Sequence, residues 1–332
     1  MAHASPTAET LTRLAEAAGP GGALWPADQP LDRYLVEWRG LYRGVAPLVL
    51  RPASTDAVAA IVRIAHETST ALVPQGGNTG LVGGQVPDES GTQVVVSLER
   101  MTAIRAADAL NNTLTVEAGV TLAAVQQEAA RIDRLFPLSL ASEGSCQIGG
   151  TIATNAGGTA VLRYGSMRDL VLGLEAVLPD GRVWHGLSGL RKDNTGYALK
   201  DMFVGAEGTL GIVTAAVLKL YPRPGSIETA WCAVRDPSAA VDLLARLQAA
   251  SGGAVTTFEI VSRAGLDLVL RHFADAGDPL TARSDWYVLA ELSAGAGTQG
   301  LRETFESALA GAMEAGLVAD AVIAESGTQR AA

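Results

Sequence analysis

Cysteine and positive charge are both scarce in this 332-residue sequence. The two cysteines, Cys146 and Cys232, are too few for a disulfide framework or a cysteine-based metal cage. The 25 Lys and Arg residues are outnumbered by 35 Asp and Glu residues, which gives a formal net charge of −10. Because a broad nucleic-acid surface needs a basic face, nucleic acid is not an expected partner.

Long apolar runs and targeting signals are also missing. No apolar run reaches the length of about 18 residues that a membrane span needs, so no span is expected. The opening "MAHASPTAET" has no basic patch followed by an apolar core, which argues against a secretory signal. These features predict a cytoplasmic protein. The histidines show no metal-ligand spacing, so surface or packing roles are expected for them and no metal site is predicted: His3, His66, His185 and His272.

The first two thirds of the chain mix short strands with amphipathic helices. Apolar spacing predicts a helix over 55–70, with Thr55 as an N-cap candidate, and a second helix over 121–132 after Thr121. Short apolar runs at 70–75, 92–98, 112–120 and 208–225, the last of which stops at two prolines, predict strands, and 169–186 predicts a hairpin that turns at Pro179-Asp180-Gly181.

The segment "YPRPG" at 221–225 is the best candidate for a domain boundary, because proline-rich stretches suit linkers. After it, strand and helix patterns alternate, which predicts an α+β layer with its helices on one face of a sheet. The predicted strands are 229–234, 254–261, 285–292 and 318–325, and the predicted helices are 238–249, 263–273 and 301–316.

Three segments rich in glycine and other small residues stand out. "PQGGNTGLVGG" (74–84) has five glycines in eleven residues, yet it fits neither a Walker A loop nor a G-x-G-x-x-G motif. "GSCQIGGTIATNAGG" (144–158) and "GAEGTLGIVT" (205–214) repeat this chemistry. Each alone fits a plain loop or tight packing. Three together can present many backbone N–H groups to a large polyanionic ligand.

These segments resemble those of FAD-linked oxidases of the vanillyl-alcohol-oxidase/PCMH superfamily. The similarity is greatest to D-2-hydroxyglutarate dehydrogenases and the related D-lactate and glycolate dehydrogenases. It runs in order from about residue 37 to 224 and is carried by "EWRGLYRGVAPLVLRP", "PQGGNTGLVGG", "GSCQIGGTIATNAGG" with "RYGS", and "LRKDNTGYALKDMFVGAEGTLGIVT". Within the last of these, "LRKDNTGY" favours the hydroxyglutarate branch.

The resemblance implies an α+β fold: a two-lobed PCMH-type FAD-binding domain, then an incomplete antiparallel-sheet (ferredoxin-like) cap domain. The expected division is an N-terminal segment at 1–42, the FAD-binding domain at 43–224 and a truncated cap at 228–332. Some relatives tether the flavin through a His in the first loop. Asn78 stands in that loop here and no His does, so non-covalent FAD is expected.

The resemblance also implies which residues hold FAD. The first segment would wrap the diphosphate, the second would line the diphosphate and the flavin edge, and the third would lie by the adenosine end. Pro137 and Leu138 would pack on the ring system. The full expected set is Pro74, Gln75, Gly76, Gly77, Asn78, Thr79, Gly80, Leu81, Pro137, Leu138, Gly144, Ser145, Cys146, Ile148, Gly149, Gly150, Ala153, Thr154, Asn155, Gly157, Glu207, Gly208, Gly211 and Ile212.

Other residues near these segments have two interpretations each. Cys146 could touch the flavin, although a small buried hydrophobe is the commoner role of such a cysteine. Arg163 and Tyr164 could reach a ligand or anchor a turn. The charged group at 191–193 fits a solvated loop better than a binding site. Gly77 is expected to have a positive φ beside the phosphate, so Gly77→Val should lower FAD retention.

The function implied is oxidation of a D-2-hydroxy acid to the 2-oxo acid, with electrons passed to an electron-transfer flavoprotein or a quinone. The family's base and divalent-metal ligands come from "H-x-G-D-G-N-x-H" and "G-E-H-G-x-G" motifs, and neither string occurs here. No catalytic residue is therefore assigned. The alternatives are a glycolate or D-lactate dehydrogenase, a non-catalytic flavin-carrying subunit, or a fragment of a larger complex. A homo-oligomer or a complementing subunit is also possible.

Overall fold

A computed structural model describes residues 5–331, which form two compact units. The first unit contains the chain up to residue 156 and residues 166–221, and the second contains residues 157–165 and the chain from 222 onward. The second unit therefore takes its first nine residues from the middle of the first. The predicted domain boundaries at 42, 224 and 228 remain predictions.

The elements are numbered in chain order. The helices are α1 (Ala8–Ala17), α2 (Asp32–Leu35), α3 (Thr55–Thr68), α4 (Leu122–Arg131), α5 (Ile148–Ala153), α6 (Val161–Tyr164), α7 (Met167–Leu170), α8 (Lys200–Phe203), α9 (Pro237–Ser251), α10 (Arg263–His272), α11 (Leu301–Glu314) and α12 (Gly327–Ala331). The strands are β1 (Ala23–Leu24), β2 (Val49–Leu50), β3 (Ala71–Gln75), β4 (Gln93–Ser97), β5 (Ile104–Asp108), β6 (Thr113–Glu117), β7 (Arg134–Leu135), β8 (Val171–Val177), β9 (Val183–Gly186), β10 (Ile212–Lys219), β11 (Tyr221–Pro222), β12 (Ser226–Val234), β13 (Val255–Ser262), β14 (Trp286–Ala294) and β15 (Val318–Ile323).

The first unit contains two main sheets that share one hydrophobic core. One sheet has the order β1-β2-β4-β3, in which β2 and β3 run parallel to β4, and the other has the antiparallel order β5-β6-β10-β8-β9. Helix α3 contributes Val58 and Ile61 to a buried cluster that also takes Val96 from one sheet and Ile212 from the other. This shared core brings the carboxyl ends of β3 and β4 to the start of β10.

Of the two predicted helix N-caps, one is confirmed and the other is wrong. Thr121 caps α4 as predicted, since its hydroxyl accepts a hydrogen bond from the backbone N of Ala124. The prediction that Thr55 caps α3 is wrong, because Ser54 is the cap. The Thr55 hydroxyl donates instead to the buried carboxylate of Glu175, at 2.6 Å. The predicted hairpin is confirmed as β8 and β9.

The second unit is an antiparallel sheet of order β13-β14-β12-β15 with helices on both faces. Helices α9 and α11 cover one face, where Leu243 and Phe305 are fully buried. The prediction that the helices share one face is wrong for α10, whose Leu266 packs on the opposite face beside Tyr287. The reason is that this second face is also apolar, with Trp231 stacked on Tyr287 at 5.3 Å.

The predicted α+β class is confirmed by this mixture of helices and largely antiparallel sheets. Within residues 5–331, none of the helices has the length and apolar character needed to cross a membrane.

Candidate functional site

An open cleft lies in the first unit where the parallel strands β3 and β4 end. The two strand ends are joined by a hydrogen bond from the backbone N of Leu98 to the carbonyl of Gln75, at 3.0 Å. About 770 Å³ of space lies in and in front of the cleft, part of which is open solvent. Its lining residues come from all three glycine-rich segments and from strand ends: Pro74, Gln75, Gly76, Gly80, Val82, Gly84, Gln85, Leu98, Gly149, Gly150, Ala153, Thr154, Phe203, Glu207, Gly208, Gly211, Ile212 and Val213.

The lining leaves main-chain atoms accessible, because seven of its eighteen residues are glycines. A Cβ added at Gly150 would meet no heavy atom within 4 Å, so space is open above this residue of α5. A Cβ at Gly76 would lie 3.5 Å from the Cα of Gly150, which places the first and second segments side by side. A ligand in the cleft can therefore approach two stretches of backbone closely.

The first and second glycine-rich segments also touch at residues outside the cleft lining. A Cβ at Gly77 would lie 1.9 Å from the carbonyl oxygen of Ser145 and 3.1 Å from the Cα of Cys146. The expectation of a positive φ at Gly77 is wrong, since its backbone is outside the left-handed region. Glycine is required there by the neighbouring main chain instead.

Asn78 fixes the first loop to the N-terminal part of the unit. It has a φ of 53°, a left-handed conformation that asparagine tolerates. Its Nδ2 donates to the carbonyls of Arg33 at 2.9 Å and Val36 at 2.8 Å. Its Oδ1 is buried and has no hydrogen-bond partner among the described residues. Both amide hydrogens are thus committed to the protein, and the side chain can offer a ligand only an acceptor.

Two glutamine side chains form hydrogen bonds that fix the first glycine-rich segment. The buried Gln75 donates from Nε2 to the carbonyls of Tyr34 at 2.9 Å and Gln85 at 2.8 Å. Gln85 in turn donates from its Nε2 to the carbonyl of Gly80 at 2.7 Å. These bonds order the loop with protein partners alone.

The third segment turns tightly against the first. Glu207 has a φ of 50°, and its backbone N donates to the carbonyl of Ala153 at 2.9 Å. Gly208 has a φ of 78°, and a Cβ there would lie 3.1 Å from Pro74. These contacts hold the turn before β10 against α5 and β3, which brings all three segments to one cleft.

The cleft lining is almost entirely uncharged, so its polar groups act as neutral hydrogen-bond donors and acceptors. Of the residues that line it, Glu207 alone has an ionisable side chain, and it is exposed. A phosphate bound here would therefore have to be held by backbone N–H groups rather than by Lys or Arg. The apolar side chains in the lining, such as Leu98, Phe203 and Ile212, offer surfaces for a ring system.

Twelve of the predicted cofactor residues line this cleft, and the rest lie elsewhere. Leu138 and Ile148 are buried in the protein, as is Cys146, where burial raises the pKa of the thiol. Gly157 falls in the second unit. The predicted residues outside the lining are Gly77, Asn78, Thr79, Leu81, Pro137, Leu138, Gly144, Ser145, Cys146, Ile148, Asn155 and Gly157.

Six lining residues were missed by sequence reasoning. Val82, Gly84 and Gln85 stand in or just after the first glycine-rich segment, so their position was a usable signal. Leu98 and Val213 carry no signal beyond belonging to apolar strands. Phe203 was not predictable from its surroundings, and it is fixed by stacking on Trp184 at 5.3 Å.

The other candidate residues do not reach the cleft lining. Arg163 hydrogen-bonds Ser293, through both the carbonyl and the hydroxyl oxygen, and the carbonyl of Ala254, all within the second unit. The segment 191–193 is exposed. Three histidines are exposed, while His3 lies outside the described residues. Across residues 5–331, no cluster of three or more His, Cys, Asp or Glu side chains is placed to hold a metal ion.

Comparison with known proteins identifies the first unit's domain type. Residues 46–186 match the FAD binding domain family. D-2-hydroxyglutarate dehydrogenase, mitochondrial, of Arabidopsis thaliana is 39% identical over 297 residues, which are 89% of this chain and 52% of that protein. The enzyme of the same name from Bos taurus is 39% identical over 290 residues, covering 87% of this chain and 52% of that protein.

The D-2-hydroxyglutarate–pyruvate transhydrogenase of Saccharomyces cerevisiae is 38% identical over 269 residues, covering 80% of this chain and 53% of that protein. The chain thus spans about half the length of the curated relatives it matches.

Solved structures show the same fold at low sequence identity. Alkyldihydroxyacetonephosphate synthase superposes with a TM-score of 0.77 at 18% identity, covering 99% of this chain and 63% of that one. p-Cresol methylhydroxylase superposes with a TM-score of 0.70 at 18% identity, covering 95% of this chain and 65% of that one. These two likenesses show the fold that the chain shares. The predicted resemblance is confirmed by the match of residues 46–186 to the FAD binding domain family and by the D-2-hydroxyglutarate dehydrogenase relatives at 39% identity.

Proposed function

We propose that this chain is the FAD-binding part of a dehydrogenase that oxidises D-2-hydroxyglutarate to the 2-oxo acid. The main support is its similarity, over 80–89% of its length, to three proteins named for D-2-hydroxyglutarate. The cleft lined by the three glycine-rich segments supplies the place for the cofactor. The domain boundaries at 43–224 and 228–332 are part of the same proposal.

The residues present fit FAD. The diphosphate would lie against the backbone at Gly76, Gly80 and Gly150, where no Cβ intervenes. The aromatic rings would meet the apolar side chains of Phe203 and Ile212. Bound FAD would supply the acceptor for the hydride that leaves the substrate Cα. The chain's own part in that step is to hold and orient the cofactor.

The cofactor is proposed to be non-covalent. Asn78 occupies the first loop, where some relatives carry a tethering His, and a carboxamide is not a nucleophile. The one thiol in the second segment, Cys146, is buried, and its raised pKa disfavours the reactive thiolate. Acid precipitation should therefore leave FAD in the supernatant, and flavin that stays with the pellet would contradict the proposal.

The substrate's hydroxyl proton needs a base, for which no residue of this chain is proposed. The two His-containing motifs that the resemblance predicts for the base and the metal do not occur in these 332 residues. An electron-transfer flavoprotein or a quinone as electron acceptor, and a cytoplasmic location, remain proposals. The Arabidopsis and Bos relatives carry the word mitochondrial in their names.

One other substrate has specific support. The putative D-lactate dehydrogenase of Schizosaccharomyces pombe is 35% identical over 306 residues, covering 92% of this chain and 57% of that protein. The glycine-rich cleft concerns the cofactor and does not distinguish D-lactate or glycolate from D-2-hydroxyglutarate. A flavin-carrying subunit without its own activity is the remaining alternative.

Anaerobic flavin bleaching tests the proposed function. The 332-residue chain loaded with FAD should bleach slowly with any of the three acids, since missing acid–base help alone costs about 10²–10⁴ in rate. Adding a protein that carries both His motifs should restore bleaching by D-2-hydroxyglutarate in preference to D-lactate and glycolate. A preference for another acid would reassign the substrate, and fast stereospecific bleaching by the chain alone would show that its own residues suffice.

A further inference from the structure

Trp184 and Phe203 form a stacked pair at the wall of the cleft. Their ring centroids lie 5.3 Å apart, with an angle of 14° between the ring planes. Phe203 lines the cleft, and a Cβ added at Gly211, another lining residue, would lie 3.3 Å from its Cε1 atom. Trp184, on the edge strand β9, is not part of the lining. The indole therefore contacts the ring that borders the cleft without bordering the cleft itself.

Small residues around Trp184 determine where the indole can lie. Gly186 follows two positions later in β9, and a Cβ there would lie 2.6 Å from the Cζ2 atom of the indole. Because residues two apart in a strand point to the same face, glycine at this position leaves the room that the large ring needs. The residue opposite Trp184 in the paired strand β8 is Ala176, which is also small. The sheet thus holds the indole in the place where it meets Phe203.

The backbone that carries Phe203 is held without help from Trp184. The guanidinium group of Arg168 donates to the carbonyl oxygens of Asp201 and Val204, each at 2.7 Å. These two carbonyls stand on either side of Phe203 in the chain. Loss of the indole should therefore free the ring of Phe203 while the main chain of α8 stays in place.

A second stacked pair has the same geometry in a different setting. Trp231 and Tyr287 also have ring centroids 5.3 Å apart and an angle of 14° between the ring planes. Tyr287 is fully buried in the second unit, and neither ring lines the cleft. Of the two supported rings, Phe203 is the one placed to meet a ligand in the cleft, which gives Trp184 a part in binding that Trp231 lacks.

We propose that Trp184 is a positioning residue of the cofactor cleft, which holds the ring of Phe203 in place so that a ring of FAD can pack against it. This inference rests on the FAD site of the proposed function. Without the indole, the phenyl ring would reach other rotamers in the free protein, and FAD would have to order it on binding. Ordering one side chain on binding costs a factor of about 2–13 in affinity.

Titration of FAD into the folded apoprotein of Trp184→Ala tests this role. FAD should bind about 2–13-fold more weakly than to the wild type. Trp184→Phe keeps a stacking ring and should restore the wild-type affinity. The matched control is Trp231→Ala, which removes a stack of the same geometry and should lower the melting temperature while leaving FAD affinity unchanged. If the alanine variant does not fold, Trp184→Leu takes its place, with a loss of affinity in the same direction.

A double-mutant cycle shows whether Trp184 acts through Phe203. In the Phe203→Leu background, Trp184→Ala should weaken FAD binding no further, because the ring that the indole holds is already gone. An equal loss of affinity in both backgrounds, or the same loss in Trp231→Ala, would mean a general structural effect and overturn the inference. Failure of Trp184→Phe to restore FAD affinity would overturn it as well.

Unchanged FAD affinity in Trp184→Ala, while the wild type binds FAD, would overturn the inference alone. A wild-type protein that does not bind FAD would overturn the proposed function with it.

Discussion

Replacing Gly150 by alanine should stabilise the free protein and weaken its binding of FAD. Gly150 lies inside α5, has no positive φ, and a Cβ there meets no atom within 4 Å. Alanine in a helix interior is favoured over glycine by about 0.5–1 kcal/mol, so the apoprotein should gain up to that amount in its free energy of unfolding.

The bound state should respond in the opposite direction, because the new methyl group occupies space that the cleft leaves open beside the backbone. An extra methyl group in a well-packed site costs about 1–3 kcal/mol, or roughly 5–150-fold in affinity. FAD at about 100 times its dissociation constant stabilises the wild type by about 2.7 kcal/mol. At that FAD concentration, a variant with 30-fold weaker binding would gain only about 0.9 kcal/mol.

Denaturant unfolding with and without FAD, together with a fluorescence titration of FAD, measures both effects. The control is Gly311→Ala, because Gly311 also lies inside a helix, α11, with nothing within 4 Å of its added Cβ. That variant should stabilise the protein to a similar extent and leave FAD affinity unchanged. If Gly150→Ala keeps the wild-type affinity, no ligand comes close to this backbone, and the assignment of the cleft to the cofactor fails.

Three further substitutions test contacts away from the open part of the cleft. Gly77→Val should lower both the melting temperature and FAD retention, because the valine side chain would collide with the carbonyl of Ser145. A variant that melts at the wild-type temperature would contradict this close contact. Glu175→Gln should lower the free energy of unfolding by about 1–3 kcal/mol at pH 7. Because the pKa of Glu175 is lowered in the fold, its contribution is present above the ordinary value of 4.5 and is lost as the pH falls below it. The difference in free energy of unfolding between the wild type and Glu175→Gln should therefore shrink in acid. A difference that persists in acid would mean that the ionised carboxylate of Glu175 is not its cause. Arg163→Ala should destabilise the second unit by about 1–3 kcal/mol, because it leaves the buried Ser293 hydroxyl and carbonyl with fewer partners. An unchanged free energy of unfolding in Arg163→Ala would show that water replaces the hydrogen bonds of Arg163 to Ser293.

Features coded by neighbouring residues were predictable from the sequence. The Thr121 cap, the hairpin of β8 and β9, and the alternation of strands and helices after 225 all depend on residues within a few positions of each other. The exceptions involve distant partners. Thr55 fails as a cap because its hydroxyl meets Glu175, which lies 120 positions away in the chain. Likewise, α10 lies on the second face of its sheet because of Tyr287.

The cleft itself was predictable in part, for a physical reason. Glycines mark the places where main chain must come close to something, but their spacing does not say what that something is. Gly150 leaves room for a ligand, whereas Gly77 leaves room only for the carbonyl of Ser145. The two are identical in sequence terms, and only the positions of the neighbouring atoms separate a binding glycine from a packing glycine.

The polar residues among the glycines also differ from what the sequence suggested, because their existing hydrogen bonds decide which of their atoms are available. Asn78 looked like a phosphate ligand in the sequence, yet two carbonyls take both of its amide hydrogens. Residue type identifies which atoms can bind, and the accounting of their existing partners identifies which atoms are still available. For this cleft, that accounting leaves accessible backbone at its glycines, which suits a ligand that carries phosphate.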